Sequence, residues 1–258
     1  MKKRRSAPLE AIFAFLVILV SVVPFVHVFL SSFLTIQGVS FQAYYDVFLG
    51  SPLYLHRFWR SMGMAVCVAL FQLVVSVLGG YGFAKYRFPL RNGLLFLLML
   101  LMALPVQVTL VPGFITLSAM GLLDTYAALI LPAIFIPLGT FILTQSFKAI
   151  SDSVIDAAMI DGCGLFGTLL KVAVPMSKNG LVCVVLLSFL DAWNMVEQPI
   201  AFLKEFEDYP LSVALAYAPP GNQVVQQVCC VLVVLPPLAL FALFNRELVE
   251  GVVLAEVK

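Results

Sequence analysis

Ser188, Asp191, Asn194 and Gln198 follow one another at spacings of three, three and four, which places them on one face of a helix. The surrounding chain reads Ser188-Phe-Leu-Asp191-Ala-Trp193-Asn194-Met-Val-Glu197-Gln198-Pro199 and is otherwise largely apolar. A hydroxyl, a carboxylate and two amides in a row are hydrogen-bonding chemistry. A carboxylate at the centre of a membrane helix costs about 2.5–3.5 kcal/mol on insertion scales, so the face turns away from lipid. It either lines a hydrated path or hydrogen-bonds to neighbouring helices or to a partner subunit, and both readings stay open. Glu197 falls beside the stripe. Pro199 lacks a donor and is expected to free the Met195 carbonyl and open the helix locally. Trp193 has a bland reading of equal standing, a packing or interface aromatic.

A second polar stretch starts at Ser153 and runs through Asp156, Ala157, Ala158, Asp161, Gly162, Cys163 and Gly164 to Pro175. Ser153 followed by Asp156 has the form of a helix start, with the hydroxyl capping free N–H groups and the carboxylate at the positive end of the dipole. Ala157 and Ala158 keep the next turn slim enough for another surface to approach. Gly162 can end the helix at positive φ without a Cβ clash. A second short helix is expected over 165–172, with Leu165, Phe166, Leu169 and Leu170 as its apolar face.

This stretch resembles the cytoplasmic signature loop of ABC-importer permeases, the Glu-Ala-Ala…Gly…Pro motif. Asp156-Ala157-Ala158, Gly162 and Pro175 stand at the motif's positions, with Asp156 replacing the usual glutamate, Cys163 a common alanine and Asn179 a frequent proline. Phe189, Trp193, Asn194 and the tail 248–251 extend the likeness to sugar importers of the maltose-transporter type. Val252-Val253-Leu254 depart from the smaller residues of that family's tail. The resemblance implies a permease that forms half of a sugar pathway and works by alternating access. It assigns Asp156, Ala157, Ala158, Asp161, Gly162 and Pro175 to coupling with an ATPase. It makes Ser188, Asp191, Asn194, Glu197 and Gln198 candidate acceptors for sugar hydroxyls, and Trp193 a flat face for the sugar ring. The implied partners are a second, similar permease (a heterodimer), two ATPase subunits and an extracytoplasmic solute-binding protein. The alternatives are a permease for another small solute and an ion-coupled secondary carrier, which usually needs coupling-ion ligands and two repeats in one chain.

No sequence of the form G-x-x-x-x-G-K-[ST] occurs, so ATP hydrolysis by that route must come from another polypeptide. There is also no Ser/His/Asp elbow, H-E-x-x-H helix or cysteine cluster of metal-binding spacing. The chain is expected to be no enzyme and to hold no cofactor or metal, with ATP on the partner. Its five cysteines, scattered among apolar residues, read as packing.

These residues need a membrane scaffold. The chain of 258 residues is 62% hydrophobic and 11% charged, with a mean hydropathy of +1.05. An ordinary soluble domain has roughly 45–50% apolar and about 25% charged residues. No basic, aromatic-interleaved surface suggests nucleic acid. The expected fold is an all-α polytopic membrane protein, one permease domain over 1–258. Six spans of about 20 residues are expected at 9–34, 61–83, 94–112, 126–147, 180–203 and 224–244, with the polar loop at 151–178. The first is expected to be a retained signal anchor. Bends are expected at Pro24, Pro105, Pro132, Pro137, Pro236 and Pro237, where neighbours re-satisfy the freed carbonyls.

Orientation follows from the cations. With both termini inside the cell, the cytoplasmic face gathers Lys2, Lys3, Arg4, Arg5, Lys85, Arg87, Arg91, Lys148, Lys171, Lys178, Arg246 and Lys258, and only Arg57, Arg60 and Lys204 fall outside. Segments 35–60, 113–125 and 204–222 then face outward, in a multi-pass protein of the inner membrane. Lys85, Arg87 and Arg91 read as topology determinants beside anionic lipid.

Overall fold

The computed structural model describes residues 7–35, 38–50, 52–215 and 223–256. The basic residues 2–5, Lys258 and residues 216–222 of the expected outer segment lie outside the described residues. In chain order the elements are α1 (Ala7–Ser31), a two-residue antiparallel pair β1 (Leu34–Thr35) and β2 (Gly38–Val39), α2 (Gln42–Tyr45) with a π turn at Asp46–Gly50, and α3 (Pro52–Lys85). Next come α4 (Arg91–Met102), α5 (Val106–Ala119), α6 (Ala127–Ile134), α7 (Pro137–Lys148) and α8 (Asp152–Ile160). Then α9 (Leu165–Thr168) leads through a π turn at Leu169–Ala173 into α10 (Val174–Met176). The last are α11 (Lys178–Trp193), α12 (Glu197–Phe202), a 3-10 turn at Phe206–Asp208, α13 (Leu211–Ala214) and α14 (Gln223–Glu256).

Among the described residues, four runs are long and apolar enough to cross a bilayer: Ile12–Ser31, Leu53–Lys85, Ala127–Lys148 and Val224–Glu247. The number is six if each of two bent pairs is one span. These are Arg91–Met102 with Val106–Ala119, bent by 101°, and Leu165–Met176 with Lys178–Trp193, bent by 82°. The third expected span is therefore broken. Pro105, with no N–H to give, stands in extended conformation as the N-cap of α5. The fifth expected span, 180–203, stops at Trp193 and resumes at Glu197. Between Pro132 and Pro137 the chain leaves helix at Phe135 and Ile136, and Pro137 opens α7, where its missing donor costs nothing. Pro24 lies inside α1, and Pro236 and Pro237 lie in the part of α14 that precedes its kink, where Phe244 is non-helical (φ −125°, ψ 19°).

The chain divides into two compact units. In the unit of Met1–His56 and Leu215–Pro236, Ala43, Val47, Val225, Val228 and Cys229 form the core. The Tyr44 hydroxyl meets Ser32 Oγ at 2.7 Å, and its ring stacks on Phe33.

The unit of Arg57–Ala214 and Pro237–Lys258 holds the candidate site. Its core joins Tyr81 of α3, Ile142, Leu143 and Phe147 of α7 and Cys183 and Val184 of α11. Small residues set the spacing, as is usual where helices meet in a membrane. A Cβ on Gly80 would lie 2.8 Å from Leu143 Cβ and 3.1 Å from the Thr144 backbone nitrogen. Cβ atoms on Gly139 and Gly180 would overlap the hydroxyls of Ser76 and Ser146. Side chains reach the carbonyls at the helix breaks: Gln72 Nε2 donates to Ile136 O (3.3 Å), the N-cap carbonyl of α7, and Ser212 Oγ donates to Met195 O (2.7 Å), which Pro199 has no N–H to serve.

At one end of this unit the segment 204–211 is clasped. Arg57, 2% exposed, donates to Phe206 O at 2.8 Å and lies over the Phe206 ring. Arg60 pairs with Asp208 at 2.7 Å and covers the Tyr126 ring, whose hydroxyl donates to Asp208 O. Ser61 Oγ accepts from the Leu211 N–H.

Candidate functional site

The polar loop is a helix, a glycine turn and a shorter helical run. α8 starts earlier than Ser153 suggests. Ser151 is the N-cap, extended at φ −62° and ψ 138°, and it makes no side-chain cap bond. Its hydroxyl meets that of Ser153 at 2.7 Å instead. The acidic residue in the first turn is accordingly Asp152, and Asp156 lies one turn further on, beyond the reach of the helix end.

The far end follows the sequence closely. Gly162 has φ +88°, its N–H donates to Met159 O (3.1 Å), and the N–H of Cys163 donates to Ala158 O (3.0 Å). These two bonds are the Schellman pair that satisfies the last carbonyls of a helix, and they need a residue at ease with positive φ. Asp161 is the C-cap. The second short helical run is longer than 165–172, because a π turn, wider than an α turn, carries it into α10, which contains Pro175.

Burial divides the loop into two faces. Ile155, Leu169 and Ala173 belong to the core shared with α3, α7 and α11. Asp156, Ala157, Asp161, Gly162 and Pro175 are exposed, and Ala158 is half-buried. Around them Met159, Ile160, Leu165, Phe166 and Leu170 expose apolar side chains, with Ile160 at 85%. Of the expected apolar face of the second helix, only Leu169 turns inward.

Lys85, at the end of α3, ties the loop down. Its Nζ donates to Ile150 O at 2.6 Å and to Asp152 Oδ1 at 2.7 Å. Arg91 Nε donates to Phe83 O at 2.7 Å, and its Nη2 donates to Ala84 O. Both cations thus hydrogen-bond to protein groups, which their count as topology determinants does not reveal. The hydrogen bond and charge of Lys85 hold the Asp152 carboxyl below the usual carboxylate range, and Arg87 and Arg91 add to this. A carboxyl lowered in the folded state contributes its hold above its unfolded pKa and loses it as the pH falls through the lowered value. At neutral pH the Asp152 carboxyl is therefore ionised.

The second candidate group does not form one continuous stripe. α11 ends at Trp193, so Asn194 is its C-cap and returns its Nδ2 to Leu190 O at 2.9 Å. The break precedes Pro199, which sits in the first turn of α12, where no helical donor is required. Ser188 is buried, Asp191 and Asn194 are exposed, and Glu197 and Gln198 are half-buried. Glu197 accepts a hydrogen bond from Gln107 of α5, a partner with no signature in the sequence. Gln198 lines a cleft of about 290 Å³ between α5, α6 and α12, together with Thr109, Leu110, Pro132 and Phe202. Trp193 is 2% exposed, stacked on Phe189 and edge-on to Phe58. Its ring faces are used within the chain.

Residues 72–249 match the family described as binding-protein-dependent transport system inner membrane component, a range that takes in the loop, the α11–α12 break and most of α14. The chain belongs to this family. Among the relatives of this transport component is the arabinooligosaccharides transport system permease protein AraQ of Bacillus subtilis, 28% identical over 85% of this chain and 79% of that protein. The sn-glycerol-3-phosphate transport system permease protein UgpE of Yersinia enterocolitica is 31% identical over 77% of this chain and 72% of its own. A chain of a bacterial ABC transporter involved in the import of the acidic polysaccharide alginate superposes with a TM-score of 0.81, covering 95% of this chain and 98% of that one, at 20% identity. That likeness is one of fold. The inner membrane component is a helical transport permease by family.

Proposed function

We propose that this chain is one of two permease subunits enclosing the solute path of an ABC importer, driven by a pair of ATPase subunits and fed by an extracytoplasmic binding protein. One observation carries this reading: α8 presents Asp156 to solvent while its neighbour Ile155 is buried among α3, α7 and α11. A push on the exposed face therefore reaches the membrane helices directly. The chain itself catalyses nothing and holds no cofactor, and ATP belongs to the partner. Asp156, Ala157, Ala158, Asp161, Gly162 and Pro175 supply the coupling surface.

Asp191, Asn194, Glu197 and Gln198 supply the polar part of the path, at and beside the α11–α12 break. The sequence places no Lys or Arg in 61–84, 92–147 or 179–203, so the charges available there are carboxylates. That arrangement accepts hydroxyl donors and repels phosphate or uronate, which favours an uncharged carbohydrate as the solute. Replacing Asp191 by leucine is expected to leave insertion and pairing with the second permease intact and to reduce uptake. Loss of pairing with normal uptake per assembled complex would assign Asp191 to the subunit contact instead.

The loop and both termini face the cytoplasm, and Asp208 faces outward. Impermeant thiol labelling tests this with Asp208→Cys and Asp156→Cys in separate proteins. The first is expected to label in intact cells and the second only after they are opened. The opposite pattern would invert the protein and remove the loop from any ATPase.

A further inference from the structure

The basic end of α3 joins three helices at one point. The Lys85 side chain is 6% exposed, so its ammonium is largely withdrawn from water and must be satisfied by protein. It meets two needs at once. Ile150 O is a carbonyl just past the end of α7, of the kind a helix leaves without an internal partner, and Lys85 donates to it at 2.6 Å. Asp152 is the first residue of α8, and Lys85 donates to its Oδ1 at 2.7 Å. Arg91 closes Phe83 O and Ala84 O on the other side, so the last turn of α3 is itself held. Ile150 and Ile155 flank this junction and are both buried in the core that contains Tyr81 and Phe147.

We infer that Lys85 is a positioning residue that locks α8 to the ends of α3 and α7, so that motion delivered to α8 is passed to α3 as one rigid unit. The inference rests on the coupling reading of the loop. Apolar packing alone leaves α8 free to pivot about Ile155. A fixed ammonium bonded to the chain on either side of Ser151 removes that pivot. Asp152 shares the task through its carboxylate, whereas Ile150 shares it through its backbone alone.

The test uses the assembled importer in lipid nanodiscs, with the accessible cysteines Cys67, Cys163 and Cys230 replaced by serine. Spin labels are placed at Met159→Cys on α8 and Leu70→Cys on α3, both exposed positions. The distance between them is measured by pulsed electron resonance, without nucleotide and after trapping with Mg-ATP and vanadate. With Lys85 present, a narrow distribution that trapping does not shift is expected. Lys85→Met keeps the stem and loses both bonds, and is expected to give a broadened distribution that shifts on trapping. Lys85→Arg is expected to restore the narrow, unshifted one, which a general packing defect would not allow. Vanadate-trapped ATPase should still co-purify with every variant. A Lys85→Met distribution as narrow and unmoved as that of the parent, with ATPase bound, overturns the lock. If the ATPase fails to bind the parent protein at all, the coupling reading is the one that falls.

Discussion

Gly80→Ala is expected to lower the yield and the melting temperature of the detergent-solubilised protein, whereas Gly82→Ala, two residues along the same helix, is expected to leave both unchanged or slightly raised. A Cβ at Gly80 meets Leu143 Cβ at 2.8 Å and the backbone of Leu143 and Thr144 at 3.1 Å, while one at Gly82 meets nothing within 4 Å. The first is an overpacking change in which α3 or α7 must move, at about 1–3 kcal/mol. The second gains helix propensity of up to about 1 kcal/mol, since alanine loses less backbone freedom than glycine. Because the two variants are chemically identical additions to one helix, their difference reports the α3–α7 approach and little else. Equal melting temperatures would mean that the two helices do not touch there.

Gly162→Val and Asp156→Lys are expected to abolish co-purification of the ATPase while leaving membrane insertion and pairing with the second permease intact. Gly162 sits at φ +88° with open space where a side chain would project, so the penalty is one of backbone conformation alone, about 1–2 kcal/mol for an L-residue. That strain falls on the Schellman turn and re-aims α9 relative to α8. Gly162→Asn, which tolerates left-handed backbone, is expected to bind the ATPase nearly as well as the parent. Asp156 is exposed and outside the first turn of α8, so reversing its charge changes the surface offered to a partner and not the helix. Co-purification from membranes measures both. Retention of the ATPase by the valine and lysine variants at the level of the parent would reduce the loop to an ordinary connector.

The loop was legible because polar residues in a chain this apolar have to be somewhere specific, and because glycine at a helix end has a steric reason that needs no tertiary contact. Gly162 follows from that reason. The start of α8 did not, since Ser151 and Ser153 are equivalent candidates in sequence and the choice depends on where Ile150 is buried. The α11–α12 break was displaced for a similar reason. Pro199 is a conspicuous breaker, yet it fits the first turn of α12 without penalty, and the chain turns at Asn194, whose amide caps α11. Counting charge on one side of a membrane places Lys85 on the cytoplasmic face and says nothing of its partners. Such a count cannot see Ile150 O, because a backbone carbonyl has no signature in the sequence. Gln107 stayed hidden because its partner, Glu197, is ninety residues away.

The enclosure of Trp193 gives the protein an optical gauge of its own. The chain has two tryptophans, and the other, Trp59, is 62% exposed. An aqueous or lipid-borne quencher reaches Trp59 first and is kept from Trp193 by Phe189 and Phe58. Any loosening of the α11–α12 junction during a transport cycle therefore shows as growth in the quenchable fraction of the emission, read from the unlabelled protein.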